Sequence, residues 1–221
     1  MVRPIPPRID RATSLRYMGA AGWQPDAASA ALLDRAEEKL RQTATPRAVW
    51  RRLPRAVLPL ENRGSDLAWH LQGCDEVLVL VATLGSEVDT LLRRLELTDI
   101  ALAASADAMA SVLLEQVCDE LEQELRTGLA EEHRYLTGRF ALGYGDCPLE
   151  LNDEISLAAD SVRGAGVAVT AQHLVVPRKS TTALLGIADH PVTGTLAGCS
   201  TCHLRETCVF RKRGTTCFSQ K

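Results

Sequence analysis

The chain has 221 residues, of which 46% are apolar, so it can bury the core of one domain, alone or with a small appendage. Its net charge of −3 and its aromatic content of 4% argue against nucleic-acid binding, which usually needs a basic surface and stacking side chains. The longest apolar run, residues 77–82, is too short to cross a bilayer, and residues 1–8 lack the apolar core of a secretory signal. We therefore expect a cytoplasmic protein without a membrane or nucleic-acid partner.

The N-terminal part of the chain predicts two helices and then an extended segment. Residues 9–19 end in a glycine, which is typical of a short helix closed at its C-terminus. Residues 26–43 place apolar side chains at helical spacing after an aspartate that suits the first turn. Residues 47–60 alternate in polarity, and Pro54 and Pro59 within them indicate an edge strand, because proline cannot donate to a central ladder.

The middle of the chain predicts a buried strand and a long helix. A helix over residues 65–70 precedes residues 75–82, whose β-branched apolar run between glycines predicts a buried strand. A helix leaves from Ser86, and residues 102–104 suggest a brief strand. Residues 107–125 carry one apolar stripe and predict a long helix. The opposite face of that helix is typical of a solvated acidic surface and carries Glu115, Asp119, Glu120, Glu122 and Glu124.

The segment 139–148 indicates a binding function. In this predicted loop, Gly143 and Gly145 flank Tyr144 and follow Arg139. Glycines let the backbone approach a ligand closely, a guanidinium can hold a carboxylate with two hydrogen bonds, and a phenol can stack on a ring. An ordinary glycine-rich turn with a structural arginine fits the same residues and is the simpler interpretation.

The C-terminal part of the main domain predicts one helix and three strands. The helix covers residues 152–161, and the strands cover residues 167–170, 173–176 and 183–188. No phosphate-binding loop, dinucleotide-binding turn, zinc-protease helix or hydrolase elbow is present, so the sequence does not support those chemistries. We interpret four scattered histidines as surface or hydrogen-bonded residues and three cysteines as buried apolar ones, namely His70, His133, His173, His190, Cys74, Cys118 and Cys147.

The C-terminal tail predicts a metal or iron–sulfur site. Cys199, Cys202, Cys208 and Cys217 have the spacing C-x2-C-x5-C-x8-C, and two residues between the first pair let both sulfurs bind one ion. In a reducing cytosol such thiols bind metal, remain free or form a redox disulfide, and the clustering favours ligation. Because Cys199, Cys202 and Cys208 lie close together in the sequence, the pattern favours an iron–sulfur cluster, with zinc as the alternative.

The tail also defines the predicted domain organisation, a domain of residues 1–195 followed by a cysteine-rich module of residues 196–221. The basic residues of the tail are Arg205, Arg211, Lys212 and Arg213. They would offset the negative charge of a thiolate cluster, or bind an acidic electron carrier such as ferredoxin or flavodoxin. Alternatively, they only make the tail soluble.

The order of these motifs resembles the S-adenosylmethionine-binding activation domain of cobalamin-dependent methionine synthase, especially its free-standing relatives. The most specific element, Arg139-x-Ala141-x-Gly143-Tyr144, is similar to the adenosylmethionine loop of the family. Six further segments resemble the family in the same order along the chain: Ile9-Asp10-Arg11, Leu15-Arg16-Tyr17-x-Gly19, Thr83-Leu84-Gly85, Cys147-Pro148, Val169-Thr170 and Pro177-x-x-Ser180. The resemblance implies an α+β fold with a twisted, mostly antiparallel sheet. It also implies that Arg139 holds the methionine carboxylate and that Ala141 and Tyr144 contact the ligand near the adenosine.

The implied function is reactivation of a cobalamin-dependent methionine synthase or another corrinoid protein. Such a factor supports methylation of cob(II)alamin on the partner, with S-adenosylmethionine as methyl donor. The cysteine tail is foreign to the family domain and suggests that electron relay has been added. The alternative is a non-catalytic adaptor for a corrinoid protein, with a structural zinc tail. The sequence leaves open whether Glu122, Gln123 or Glu124 takes the place of the acid that faces the ligand in the family.

Overall fold

The computed structural model of the protein describes residues 1–60, 62–194, 206–212 and 214. The helices are α1 (Arg11–Tyr17), α2 (Ala27–Thr43), α3 (Ser65–His70), α4 (Ser86–Thr98), α5 (Ile100–Glu131), α6 (Leu151–Ala159), α7 (Ser161–Ala165) and α8 (Val209–Lys212). The strands are β1 (Arg47–Pro54), β2 (Glu76–Thr83), β3 (Tyr135–Leu136), β4 (Phe140–Ala141), β5 (Ala168–Val169), β6 (Val175–Val176) and β7 (Ser180–Ala188). One turn of 3-10 helix, Arg55–Val57, follows β1.

The main sheet has five strands, and β2 lies between β1 and β7. β1 pairs with β2 over its full length, and β2 pairs with β7 over its full length. The short strands β3 and β4 both pair with β7, and β5 and β6 form a separate two-stranded sheet. Every one of these pairings is antiparallel. The predicted α+β class is therefore confirmed.

Strand β2 is central because both of its faces are apolar and buried. Successive side chains of a strand point to opposite faces. Leu78 and Leu80 lie in one core, which α1, α2, α4 and α5 complete. Val77 and Val79 lie in a second core, which α3, α6 and α7 complete. The buried strand predicted at residues 75–82 is thus confirmed, and helices cover the sheet on both sides.

Helix α5 begins earlier than the sequence predicts. The side chain of Asp99 accepts a hydrogen bond from the Leu102 backbone N–H at 3.1 Å and caps the helix. The brief strand predicted at residues 102–104 is therefore wrong. These residues are leucine and alanine, which favour helices, and a short apolar run does not by itself distinguish a strand from a buried helix segment.

Several other boundaries differ from the predictions. The edge strand predicted from residue 47 is confirmed as β1, which ends at Pro54. The single helix predicted at residues 152–161 is two helices, because Asp160 adopts a left-handed backbone with φ 51° and ψ 50°. The last strand begins at Ser180 rather than at residue 183. Strands β3 and β4 were not predicted, since two-residue strands carry no periodic pattern.

Helix α5 is unusually long and apolar, as a membrane-spanning helix would be. Among the described helices, only α5 is long and apolar enough to cross a membrane by length and composition. In its most apolar 18-residue window, 61% is buried inside the molecule. The apolar stripe of α5 packs against α1, α2 and α4. A core helix of this kind accounts for the composition.

Helix α8 lies in the described part of the predicted C-terminal module, which is residues 206–212 and 214. Val209 and Phe210 line a cleft of about 660 Å³ together with residues of α1 and α5. Most of residues 196–221 lie outside the described residues. The predicted domain boundary at residue 195 stays a prediction.

His70 is a buried histidine at the junction of α3, β3 and β7. Its Nε2 lies 3.0 Å from the Thr137 hydroxyl, which also accepts a hydrogen bond from the Gly186 backbone N–H at 2.8 Å. The ring packs 5.1 Å from the ring of Phe140. Burial lowers the pKa of His70 from 6.5 to about 4, although a backbone hydrogen bond with Gly138 opposes the shift. The interpretation of His70 as a hydrogen-bonded structural residue agrees with this geometry.

We expect His70 to make the fold sensitive to acid. The folded state binds this proton more weakly than the unfolded state, so the free energy of unfolding falls as the pH drops from about 6.5 to about 4. The loss should reach about 3 kcal/mol at most. Urea unfolding across this range should show a smaller pH dependence for His70→Gln than for the wild type. His190→Gln, at a half-exposed histidine, is the control, and an equal slope in wild type and His70→Gln would contradict the prediction.

Candidate functional site

Arg139 directly precedes β4, and the pairing of β4 with β7 sets its position. Side chains alternate along the strand, so Arg139 and Ala141 point to one side of the sheet and Phe140 points to the other. Phe140 packs in the second core, whereas the Arg139 guanidinium reaches α5. Ala141 lies opposite Ala183 of β7 and is exposed. The structure therefore brings Arg139 and Ala141 to the same side of the sheet edge, beside α5.

Three carboxylates of α5 surround the Arg139 guanidinium. Its Nη2 donates to Glu115 at 2.9 Å and to Asp119 at 2.8 Å, and its Nη1 donates to Glu122 at 3.0 Å. Glu115, Asp119 and Glu122 are spaced by four and three residues, so they lie on one face of the helix. We call these three residues the α5 carboxylate cluster. Arg126 also pairs with Glu122, at 2.8 Å.

Arg139 is a buried permanent cation, with 15% of its side chain exposed. Burial opposes its charge, but the carboxylates of Glu115 and Asp119 outweigh burial and raise the pKa of Arg139 above its usual value. Burial also raises the pKa of the Cys118 thiol to about 12, so this thiol stays protonated at neutral pH. The prediction that Cys118 is a buried packing residue is confirmed.

The acidic face of α5 is more than the predicted solvated surface. That prediction fits Glu115, Glu120 and Glu124, which are exposed, whereas Asp119 and Glu122 are half-buried. It missed that Glu115, Asp119 and Glu122 all pair with Arg139. The spacing of the three acids was a usable signal for a cation site on one helix face. Sequence reasoning missed the pairing with Arg139 because that residue comes from a later strand. Only the sheet register brings the two together.

Tyr144 lies apart from this cluster. It packs edge-on against Phe140, with ring centroids 6.0 Å apart, and it belongs to the second core. Arg139 reaches the other side of the sheet, toward α5. Of the four ligand-loop residues predicted from the sequence, Arg139 and Ala141 share one side, Gly143 is exposed in the turn, and Tyr144 packs toward the opposite side.

The glycine loop docks on the N-terminus of α3. Gly143 and Gly145 have positive φ angles of 80° and 61°. A Cβ atom on Gly145 would lie 2.0 Å from Asp66 Oδ2, so a larger residue would have to displace the Asp66 side chain as well as adopt the left-handed backbone. The Asp146 carboxylate accepts hydrogen bonds from the backbone N–H groups of Ser65 at 2.6 Å and of Asp66 at 3.1 Å. The structural interpretation of this turn therefore accounts for Gly145.

A second ion-pair centre lies nearer the start of α5, and sequence reasoning did not identify it. Lys179, which directly precedes β7, is 9% exposed, and its Nζ donates to the Ser111 hydroxyl at 2.9 Å. The same Nζ lies 3.0 Å from Asp107, which also pairs with Arg178 at 2.6 Å. Burial would raise the pKa of Asp107, but the hydrogen bond and charge of Lys179 help to lower it. Asp107 and Ser111 extend the polar face of α5 at four-residue spacing toward Glu115.

Most of the predicted cysteine site cannot be placed. Cys199, Cys202 and Cys217 lie outside the described residues. Cys208 is described, is half-buried, and its carbonyl accepts a hydrogen bond from the Lys212 backbone N–H at 3.1 Å. Within the described part of the chain, no group of three or more His, Cys, Asp or Glu side chains is arranged to hold a metal. The four-cysteine site therefore stays a prediction.

Comparison with known proteins identifies the fold. No family model and no curated protein sequence matches the chain. Among solved structures, the chain is similar to the crystal structure of the MetH reactivation domain bound to AdoHcy, with a TM-score of 0.61 and 18% identity. The match covers 95% of this chain and 82% of that one. At this identity the likeness establishes the fold, which is that of the MetH reactivation domain.

The loop geometry predicts that Gly145→Ala destabilises the fold. Alanine is strained in a left-handed backbone conformation, and its Cβ would clash with the Asp66 side chain. We therefore expect the free energy of unfolding, measured in urea, to fall by about 1 to 3 kcal/mol. Gly166→Ala is the control for backbone conformation, since its φ is also positive but no atom lies within 4 Å of the added Cβ. Gly138→Ala controls for both effects. A cost for Gly145→Ala no larger than that for Gly166→Ala would contradict the steric argument.

Proposed function

We propose that this protein is a reactivation factor for a cobalamin-dependent methionine synthase or a related corrinoid methyltransferase. It binds S-adenosylmethionine beside Arg139, Ala141 and Gly143, without the predicted contact to Tyr144, and supports the reductive methylation of cob(II)alamin carried by the partner. The observation that supports this most is the cluster of Arg139 and three α5 carboxylates on a fold whose relative, the MetH reactivation domain, was solved with AdoHcy.

The charges at Arg139 fit the amino-acid part of S-adenosylmethionine. A guanidinium can bind a carboxylate with two parallel hydrogen bonds, and carboxylates can bind the ammonium group. Glu115 and Asp119 are 52% and 39% exposed, so both are open to a ligand from solvent. Ala141 is exposed on the same side of the sheet, where a methyl side chain leaves room for a bulky group.

The charge balance of the site favours a cationic ligand. The α5 carboxylate cluster contributes three negative charges, and Arg139 and Arg126 contribute two positive ones. S-adenosylmethionine carries a positive sulfonium that AdoHcy lacks. The site should therefore hold the methyl donor more tightly than the demethylated product, and added salt should weaken this preference.

The role of the protein in the reaction is positioning. When bound, S-adenosylmethionine supplies an electrophilic methyl group, and the chain needs only to hold it against the partner's corrinoid. Arg139 orients the carboxylate end, and the α5 carboxylate cluster holds the cationic end. No acid–base pair is required of these residues.

The cysteine tail is proposed to hold an iron–sulfur cluster with Cys199, Cys202, Cys208 and Cys217 as ligands. Thiolates are the usual ligands of such clusters, which can supply electrons at low potential. The basic residues Arg211 and Lys212 lie in α8, directly after Cys208, and suit an acidic donor such as ferredoxin or flavodoxin. The cytoplasm is the proposed location, because thiolate sites persist in a reducing compartment.

One observation favours the alternative, a non-catalytic adaptor with a zinc-bound tail. Arg139 already has three carboxylate partners within its own chain, so a purely structural role satisfies its hydrogen-bonding capacity. In that case neither S-adenosylmethionine nor AdoHcy binds at β4, and the tail metal is colourless.

Ligand binding at Arg139 can be measured by isothermal titration calorimetry. We expect S-adenosylmethionine to bind the wild type more tightly than AdoHcy does, and we expect Ala141→Leu to weaken both because its larger side chain fills the exposed space beside Arg139. Arg139→Met should weaken binding at least tenfold, since it removes a charge-assisted hydrogen-bond donor.

The matched control for Arg139→Met is Arg134→Met. Arg134 is 17% exposed and pairs with two carboxylates, those of Asp75 and Glu76, but it lies next to β3 rather than at β4. Arg134→Met should lower the stability of the protein without changing its affinity for S-adenosylmethionine. Thermal unfolding identifies variants that fail to fold. Equal affinities in the wild type and in Ala141→Leu, or no binding by the wild type, would exclude the proposed ligand site.

The metal content of the tail can be measured on anaerobically purified protein. Iron and sulfide in stoichiometric amounts, with a visible absorption that dithionite bleaches, are expected for the relay function. Cys208→Ser should lower the bound metal, whereas Cys147→Ala, a buried cysteine of the second core, should not. Stoichiometric zinc without colour would contradict the relay and support the adaptor.

A further inference from the structure

Helix α8 is too short to be stable by itself. It has four residues, whereas an isolated helix in water needs about 12 to 15 residues to form. One helical turn is nevertheless formed, since the Lys212 backbone N–H donates to the Cys208 carbonyl at 3.1 Å. Phe210 is half-buried, whereas Arg211 and Lys212 are exposed. Contact with the rest of the protein through Phe210 therefore stabilises α8.

The surface that Phe210 contacts is the cleft between α1 and α5. Tyr17 and Met18 line this cleft from α1, and Ile100 and Ala103 line it from α5. The side chains of Tyr17 and Ile100 are 52% and 72% exposed. Removing apolar surface from water favours the packing of an aromatic ring here. The cleft thus offers Phe210 an apolar surface.

The polar end of the same cleft belongs to the ion-pair centre of Lys179. Asp107 and Ser111 line the cleft, and both contact Lys179 Nζ, at 3.0 Å and 2.9 Å. Glu115, a partner of Arg139, follows Ser111 on the same face of α5. Helix α8 therefore lies beside the stretch of α5 that leads directly to the Arg139 site.

The main domain ends at the other side of the Arg139 site. The Thr193 carbonyl accepts a hydrogen bond from the Gly138 backbone N–H at 3.3 Å. The neighbouring Thr137 carbonyl accepts a hydrogen bond from Arg126 of α5 at 3.1 Å. Gly194, the last described residue before α8 and its flanks, is therefore close to the Arg126 end of α5.

The α5 carboxylate cluster lies between these two points. Ser111, the three acids and Arg126 follow one another at intervals of three or four residues, so they share one face of α5. The helical rise makes the distance from Ser111 to Arg126 about 22 Å. Residues 195–205, which lie outside the described residues, join the two points, and a chain of this length spans at most about 40 Å. It is long enough to pass along this face of α5 but too short to go around the other side of the protein.

From these features we propose that the cleft between α1 and α5 is the docking site of the C-terminal tail, with Phe210 as its anchor. The docked tail holds Cys208 and the connection through residues 195–205 beside the Arg139 site, instead of extending freely from the main domain. The docking does not depend on the function proposed above. What it adds to that function rests on it: the metal and S-adenosylmethionine would share one face of the protein, which a single corrinoid partner can reach.

Hydrogen exchange followed by mass spectrometry tests the anchor on the anaerobically purified, full-length protein with no ligand added. In the wild type, the peptide that contains α8 should be protected. Phe210→Ser should speed its exchange at least tenfold, because serine does not pack in an apolar cleft and α8 cannot persist undocked. Arg211→Ser, at an exposed position of the same helix outside the cleft, is the matched control and should exchange as the wild type does.

Oxidation of Met18 by a brief pulse of hydroxyl radicals reports on the other side of the contact. Met18 is half-buried and lines the cleft, so Phe210→Ser should raise its oxidation about twofold or more. The chain has two other methionines, and both serve as internal references. Met1 is 66% exposed and Met109 is fully buried, and the oxidation of neither should change.

Three results would overturn the docking. The first is unprotected exchange of α8 in the wild type, and the second is unchanged exchange in Phe210→Ser. The third is faster exchange in Phe210→Ser with unchanged oxidation of Met18, since Phe210 would then stabilise α8 without contacting the cleft. Neither measurement uses S-adenosylmethionine or a corrinoid, so these results are distinct from a failure to bind that ligand, which would contradict only the proposed function.

Discussion

The burial of β2 on both faces is the constraint on which the rest of the structure depends. A strand of eight residues with apolar side chains on both sides needs a cover on each side, and each fully buried valine or leucine contributes about 1.5 to 3 kcal/mol. β1 and β7 satisfy its backbone on both edges. The two helical layers provide this cover, one over Leu78 and Leu80 and the other over Val77 and Val79.

The packing of helix α5 on the sheet determines the position of the candidate site at Arg139. Its apolar stripe is held against the sheet, and this fixes the rotation of the helix about its own axis. The rotation then places Glu115, Asp119 and Glu122 toward β4 at one edge of the sheet. The candidate site is therefore built on a helix that the core holds in place, and a change in how α5 packs would disturb it.

The sequence predicted the helices and strands whose residues show a periodic pattern within one segment. It predicted few of the contacts that arise when distant segments pair in the sheet. The strand at 75–82, the edge strand at 47 and the long helix after 107 all had patterns that one segment displays by itself. The brief strand at 102–104 failed because the cap at Asp99 extends the helix through an apolar run that fits either structure. Arg139 was found through a motif, but its three acid partners were not. Their contact depends on β4 joining β7, and two residues of strand leave no readable signal.

The same dependence gives Arg139 a structural role that is compatible with the ligand binding proposed there. The guanidinium is largely buried, so it cannot be left without anions, and the α5 carboxylate cluster supplies them. A zwitterionic ligand offers an exchange in which its carboxylate replaces an acid at Arg139 and its ammonium takes up the acid that is released. The number of ion pairs is then conserved, and the buried charge is never exposed to an apolar environment. An arginine with a single acid partner could not make this exchange without losing its counter-ion, which is a physical reason for three acids to surround one cation at this edge of the sheet.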